Sequence, residues 1–239
     1  MRNDPIDKWI TKLVPGQTFV DIGGIGENSG NERISTAVKG YAAGVAMADS
    51  EPYSSLLWQT FFQIMRDQNI NDFQTHELID VRDTYIQTKL PKFDIVHCTG
   101  VLYHIPDPIT SLYNIAGLAN DYLIVNTVTI PNRVKNKKGR FITDDSRAVF
   151  LPSLTEADRR VLGEHYRSKF GWDINVQAPR LGEPNPRMPY LREDGLSSYP
   201  YWWLFTQHAF RHAVQMMGFE IEKEWVWENH TLALLARRQ

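Results

Sequence analysis

The sequence predicts an α/β fold, a mostly parallel sheet covered by helices and closed by an antiparallel C-terminal hairpin. Three observations predict it. Between Thr18 and Val128 short apolar runs alternate with helix-like segments, the pattern of βαβ units with right-handed crossovers. The runs are nearly continuously apolar, as strands are when helices cover both faces of a sheet. Near the C-terminus two strand-like runs, Phe219 to Trp227 and Thr231 to Ala236, are separated only by Glu228-Asn229-His230, and so short a link joins an antiparallel pair.

The elements follow in order. Phe19-Val20-Asp21-Ile22 reads as a buried strand running into glycines, and Asn31 to Val38 as a helix. Gly44 to Ala48 is a second strand, ending at Asp49. Pro52 suits the first turn of the next helix, which carries Leu56, Leu57, Phe61, Ile64 and Met65 on one apolar face. Phe73 to Ile79 is a third strand ending at Asp80, and Phe93 to Cys98 a fourth. Pro108 opens a helix through Leu112, Ile115 and Leu118, and Tyr122 to Val125 is a fifth strand ending near Asn126. Thr206 to Met217 is a helix stopped by Gly218.

The region from 131 to 205 departs from this rhythm. It holds most of the prolines, a basic run from Arg133 to Arg140, and a stretch rich in Pro, Tyr, Trp and Arg. We read residues 1–239 as a single domain with 131–205 as an inserted, substrate-binding lid. One helix is expected there, from Thr155 to Tyr166, with Thr155 as its cap and Asp158 three residues on. The aromatic content argues against disorder.

Composition narrows the function. A 239-residue chain that is 42% hydrophobic can bury a sizeable core. A formal net charge of -2 provides no global basic field for nucleic acid. One cysteine, Cys98, excludes an internal disulfide and an all-cysteine zinc site, and fits a reducing cytoplasm. The polar start and the lack of any long apolar run lead us to expect a cytoplasmic protein with no membrane partner.

The chemistry is concentrated at the ends of the strands. In "FVDIGGIGENSG" the glycines after the first strand let backbone approach a ligand closely, just outside the carboxyl ends of the strands. Asp49 can accept hydrogen bonds from ribose hydroxyls, or cap the Pro52 helix. Asp80 can accept from an exocyclic amine of adenine, with Asp83 as its neighbouring competitor; either can instead cap a short helix. The most specific string is "FDIVHCTGVLYHIPDP".

The stretch from Phe19 to Val128 resembles the class I S-adenosylmethionine (SAM)-dependent methyltransferases, with their Rossmann-like sheet. It is similar to the methyltransferase core of the tRNA wobble-uridine (carboxymethoxy-uridine) enzymes and to related small-molecule methyltransferases. The resemblance is carried by Phe93-Asp94, by Gly100-Val101-Leu102-Tyr103-His104, and by Pro108 and Leu112. Against the family's first loop, Gly24 and Gly26 stand one place early, and Ile25 and Glu27 occupy glycine positions. The resemblance implies SAM as cofactor and S-adenosylhomocysteine as product. It implies that Asp21, Gly23, Gly24, Asp49, Asp80 and Gly100 bind it, and that the loop after the fourth strand lines the junction with the acceptor.

His104 is the leading candidate for a general base, since an imidazole near neutrality suits proton removal from a hydroxyl or amine. His208 is the second candidate, and His97, inside the fourth strand, reads as a packed core histidine. For the acceptor we expect Tyr103, Arg187, Tyr199 and Trp202, within a set that also holds Tyr201, Trp203, Arg180 and Arg192. Rings can stack on an acceptor or plug the lid onto the core, and arginines can clasp an anion or simply be solvated. No metal-ligand spacing is present. The expected reaction is O-methylation of a small polar metabolite, sugar or natural product. An RNA substrate and a non-catalytic SAM-binding subunit are the alternatives, and self-association as a homodimer stays open.

Overall fold

The computed structural model describes residues 4–25, 32–172, 174, 201–228 and 230–239. The chain opens with a helix, α1 (Pro5–Leu13), capped by Asp4, whose carboxylate accepts the N–H of Asp7. Then follow β1 (Thr18–Ile22), α2 (Ile34–Lys39), β2 (Gly44–Ala48), α3 (Leu56–Asp67), β3 (Gln74–His76), α4 (Ile86–Lys89), β4 (Phe93–Cys98), α5 (Pro108–Leu118) and β5 (Ala119–Val128). Beyond β5 lie β6 (Arg133–Asn136), β7 (Gly139–Ile142), β8 (Ala148–Phe150), α6 (Glu156–Phe170) and β9 (Trp203–Phe205). The chain ends with α7 (Gln207–Met216), β10 (Phe219–Trp227) and β11 (Thr231–Arg238).

Among the described residues, seven strands form the main sheet in the order β10-β11-β5-β4-β1-β2-β3. β1 pairs in parallel with both β2 and β4, so the winding direction reverses there and a crevice opens at the carboxyl ends of these strands. β11 runs antiparallel between β5 and β10, which is the expected terminal hairpin. Strand residues alternate between two cores. Val20, Ile22, Ala46 and Val96 pack toward α4, α5 and α7. Phe19, Val45, Met47 and Ile95 pack toward α1, α2 and α3. At roughly 25 cal/mol per Å² of apolar surface removed from water, these two layers supply most of the driving force for the fold. No described helix is long and apolar enough to cross a membrane.

Several boundaries differ from expectation for identifiable reasons. The third strand is only Gln74–His76, because Leu78 takes a left-handed φ of 56° and turns the chain across the end of β2. There the N–H of Ile79 donates to the carbonyl of Asp49 at 2.8 Å. α3 starts at Leu56 and is capped by Ser55, so Pro52 lies before it and Asp49 is not its cap. α2 begins at Ile34, after the N–H of Arg33 has been taken by Asp21. α6 extends four residues beyond the expected end and stops at Gly171, whose φ of 71° suits glycine.

The 131–205 region has regular structure of its own. The basic run is an antiparallel hairpin, β6 on β7. β8 pairs with β9. A third core, built on Val134, Phe141, Leu151, Leu162, Tyr166 and Leu204, holds these pieces together. Where the segment leaves and rejoins the sheet, the N–H of Ile130 donates to the carbonyl of Phe205 at 2.9 Å.

Candidate functional site

A cleft opens at the switch point. It holds roughly 940 Å³ including its solvent-open part, and its walls include Gly23, Asp49, Asp80, Gly100 and His104. A space of that size accommodates a nucleoside-sized group. Five of the residues picked from the sequence thus come together, from four different strand ends.

The first wall is the turn after β1. Gly23 has φ 78°, and a Cβ there would stand 2.4 Å from Val101 Cγ2. Its left-handed backbone and the closeness of Val101 therefore both require glycine at this point of the cleft wall. A Cβ on Gly24 would stand 2.4 Å from Asp21 Oδ2. Asp21 itself does not line the cleft. It is fully buried beneath this turn, accepts the Arg33 N–H at 2.7 Å and meets His97 Nδ1 at 2.7 Å. The expected core histidine is indeed buried, stacked on Phe19, and its ring nitrogen is hydrogen-bonded to Asp21.

Asp49 forms the second wall. Its carboxylate is buried and accepts the N–H of Glu51 at 3.0 Å. Burial pushes its pKa up to about 7; the Glu51 bond works against this, while the charges of Glu51 and Asp21 add to it. Asp80 lies beyond the turn at Leu78. Burial raises it, but the Arg82 guanidinium and the Arg82 N–H outweigh that and hold it below the usual carboxylate range. Asp83 faces Lys89 instead. Arg82, Ser50 and Leu78 also line the cleft and were not singled out from the sequence. The i, i+2 spacing of Arg82 from Asp80 was the signal available for the first of them.

The loop after β4 closes the cleft. Gly100 has φ 80° and donates its N–H to Asn126 Oδ1 at 2.7 Å. A 3-10 turn, Leu102–His104, follows. His104 lines the cleft and is flanked by two tyrosines, with ring centroids 4.1 Å from Tyr103 and 5.0 Å from Tyr201. Tyr103 and Tyr201 stack on each other at 5.1 Å. Burial pushes the Tyr103 phenol up to about 12 and the Tyr201 phenol higher still, so both stay protonated. The Trp202 N–H donates to the Tyr103 carbonyl and Trp203 Nε1 to the Pro106 carbonyl, each at 2.9 Å. The chain returning from the 131–205 region is thereby stitched to the loop that carries His104.

Other expected site residues fall elsewhere. His208 is exposed on α7 beside His212 and does not line the cleft. Trp202 is buried against Phe150 and acts as a plug. Arg187 and Tyr199, with Arg180 and Arg192, lie outside the described residues. Among the described residues no cluster of three metal-ligating side chains occurs.

The residues fit a SAM-type nucleoside on their own terms. The Gly23 backbone lies where any Cβ would collide, and a buried carboxylate stands at the end of the second strand. No family model and no curated protein matches the chain. Solved structures do match. Magnesium protoporphyrin IX methyltransferase from Synechocystis PCC 6803, with bound S-adenosylhomocysteine, aligns over 98% of this chain and 80% of its own, with TM-score 0.55 and 18% identity. An S-adenosylmethionine-dependent methyltransferase from Mesorhizobium loti aligns over 98% and 96%, with TM-score 0.55 and 16% identity. The N-terminal domain of EvdMO1, crystallised in the presence of S-adenosylhomocysteine and D-fucose, aligns over 100% and 84%, with TM-score 0.55 and 14% identity. The chain therefore has the fold of the class I methyltransferases, a mostly parallel α/β sheet closed by an antiparallel C-terminal hairpin.

Proposed function

We propose that this chain is a SAM-dependent methyltransferase that methylates an oxygen on a small polar acceptor. The observation that carries the reading is the convergence of Gly23, Asp49, Asp80, Gly100 and His104 on one cleft at the switch point. SAM supplies an electrophilic methyl group when bound. Asp49 accepts hydrogen bonds from the ribose hydroxyls, Gly23 and Gly100 admit the cofactor against bare backbone, and Asp80 faces the adenine amine. His104 takes the acceptor's hydroxyl proton on a ring nitrogen, with its ring held by Tyr103 and Tyr201. Holding the acceptor oxygen in line with the methyl carbon supplies much of the acceleration.

The 131–205 segment is the proposed acceptor-binding lid, with Tyr199 and Arg187 as its contributors and Tyr103, stacked on Tyr201, meeting it from the loop after β4. A small acceptor is supported by the aromatic packing of Tyr201, from this segment, on Tyr103 and His104 of the loop after β4. It is also supported by solved proteins of the same fold that act on a porphyrin or were crystallised with a sugar. A second reading, RNA modification, draws on the β6–β7 hairpin, whose Arg133, Lys135, Lys138 and Arg140 are exposed. RNA affinity of that origin would fall steeply with salt. Calorimetric titration with SAM and S-adenosylhomocysteine tests the cofactor reading. Saturable binding of both is expected, and binding of neither would overturn it.

A further inference from the structure

A buried polar network lies on the far side of the Gly23–Gly24 turn from the cleft. Arg33 is its centre. Its backbone N–H donates to Asp21 Oδ2 at 2.7 Å. Its guanidinium reaches back to α1, 3.0 Å from Asp4 Oδ2 and 3.4 Å from Asp7 Oδ1. Asp7 Oδ1 also accepts the Thr36 hydroxyl at 3.0 Å. The side chains of Arg33 and Asp7 are only 7% and 5% exposed. Charges that far from water are costly unless well partnered, so the network holds its geometry tightly or is destabilising.

We propose that Arg33, with Asp4 and Asp7, is a positioning residue for the cofactor cleft, clasping α1 to the head of α2 so that Asp21 is fixed beneath the Gly23–Gly24 turn. The inference rests on the cofactor reading of that cleft. Asp21 has no slack. One oxygen takes the Arg33 N–H and the other takes His97 Nδ1, from groups 12 and 76 residues away. The carboxylate also occupies the space a Gly24 side chain would need. Gly23, next along, is cleft wall. Loosening the clasp lets the head of α2 drift, takes one hydrogen bond from Asp21, and frees the turn that a ligand must meet. Neither Arg33 nor α1 lines the cleft, so the effect runs through Asp21 and not through contact.

A control separates positioning from simple stability. Asp94 accepts both the N–H and the hydroxyl of Thr18, each at 2.8 Å, at the opposite end of β1 from the cleft. The dissociation constant for S-adenosylhomocysteine and the thermal midpoint are measured on the full chain for wild type, Arg33→Met, Arg33→Lys, Asp7→Asn and Asp94→Ala. Arg33→Met and Asp7→Asn are expected to weaken binding on the order of tenfold, the scale of remote positioning effects. Arg33→Lys regains part of it, and Asp94→Ala lowers the midpoint while binding as wild type does. Wild-type affinity in both Asp7→Asn and Arg33→Met overturns the proposal, as does equal weakening in Asp94→Ala. If Arg33→Met does not fold, wild-type affinity in Asp7→Asn alone overturns it. A wild-type chain that binds no S-adenosylhomocysteine overturns the cofactor reading itself, which is a distinct outcome.

Discussion

Asp49 should make the ligand-free protein less stable as the pH rises, and Asp49→Asn should remove that loss. In the unfolded chain this carboxyl titrates near its ordinary 3.8; in the fold it titrates near 7. Between those values the native state holds a proton that the unfolded state has released. Stability is therefore fully present below about pH 4 and is lost as the pH climbs through 7. The complete shift corresponds to about 4 kcal/mol at 1.36 kcal/mol per unit, and roughly 2–3 kcal/mol of it falls between about pH 5 and pH 8. At 7% exposure little solvent screening reduces the figure. Asparagine keeps an oxygen for the Glu51 N–H but does not ionise. Urea unfolding followed by tryptophan fluorescence, without cofactor, gives the two pH profiles. Their difference should grow by that amount in favour of the asparagine variant, other titrating groups cancelling between the two proteins. Parallel profiles would refute the reasoning. The same variant should bind S-adenosylhomocysteine more weakly, so the substitution that strengthens the empty fold impairs the site.

Two further outcomes can be checked. Gly23→Ala should cost about 1–3 kcal/mol through its left-handed backbone and its collision with Val101; adding Val101→Ala should recover only the collision, as a double-mutant cycle in chemical denaturation will read out. His165 and His230 meet Nε2 to Nε2 at 2.5 Å, with His230 Nδ1 donating to the Glu228 carbonyl, and burial holds both below the ordinary imidazole range, His165 near 4 with help from the His230 and Lys169 charges. Because the unfolded chain takes protons that the folded pair refuses, stability should fall as the pH drops from 6.5 toward 4, and His165→Gln should flatten the thermal midpoint across that window; an unchanged slope would sink the idea.

Local signals carried much of the fold. β1, β2, β4 and β5 were legible because strands buried on both faces must be apolar throughout, and the terminal hairpin because three residues cannot span a crossover. α1 was missed although Asp4, Pro5 and the spacing of Ile6, Trp9, Ile10 and Leu13 are helix signals; the polar start of the chain masked a single apolar stripe. The β6–β7 hairpin was hidden by its charges, yet Val134 and Phe141 are its buried positions, and Asn136 Oδ1 accepts the Lys138 N–H in the turn. At the site, residues ending strands could be placed by their position alone. The pairing of Asp21 with His97, and the clasp of Arg33 on α1, join residues whose proximity only the folded sheet creates.

The meeting of Ile130 with Phe205 has an engineering consequence. The segment between them leaves and re-enters at hydrogen-bonded neighbours, so both of its ends meet the sheet at one place. Closure entropy rises only slowly with the length of a loop whose ends are already together. A segment of different length and chemistry could be exchanged at this doorway without shifting the register of β5 against β11. On the proposed reading of the cleft, the sheet would then serve as a fixed socket into which alternative acceptor modules are plugged.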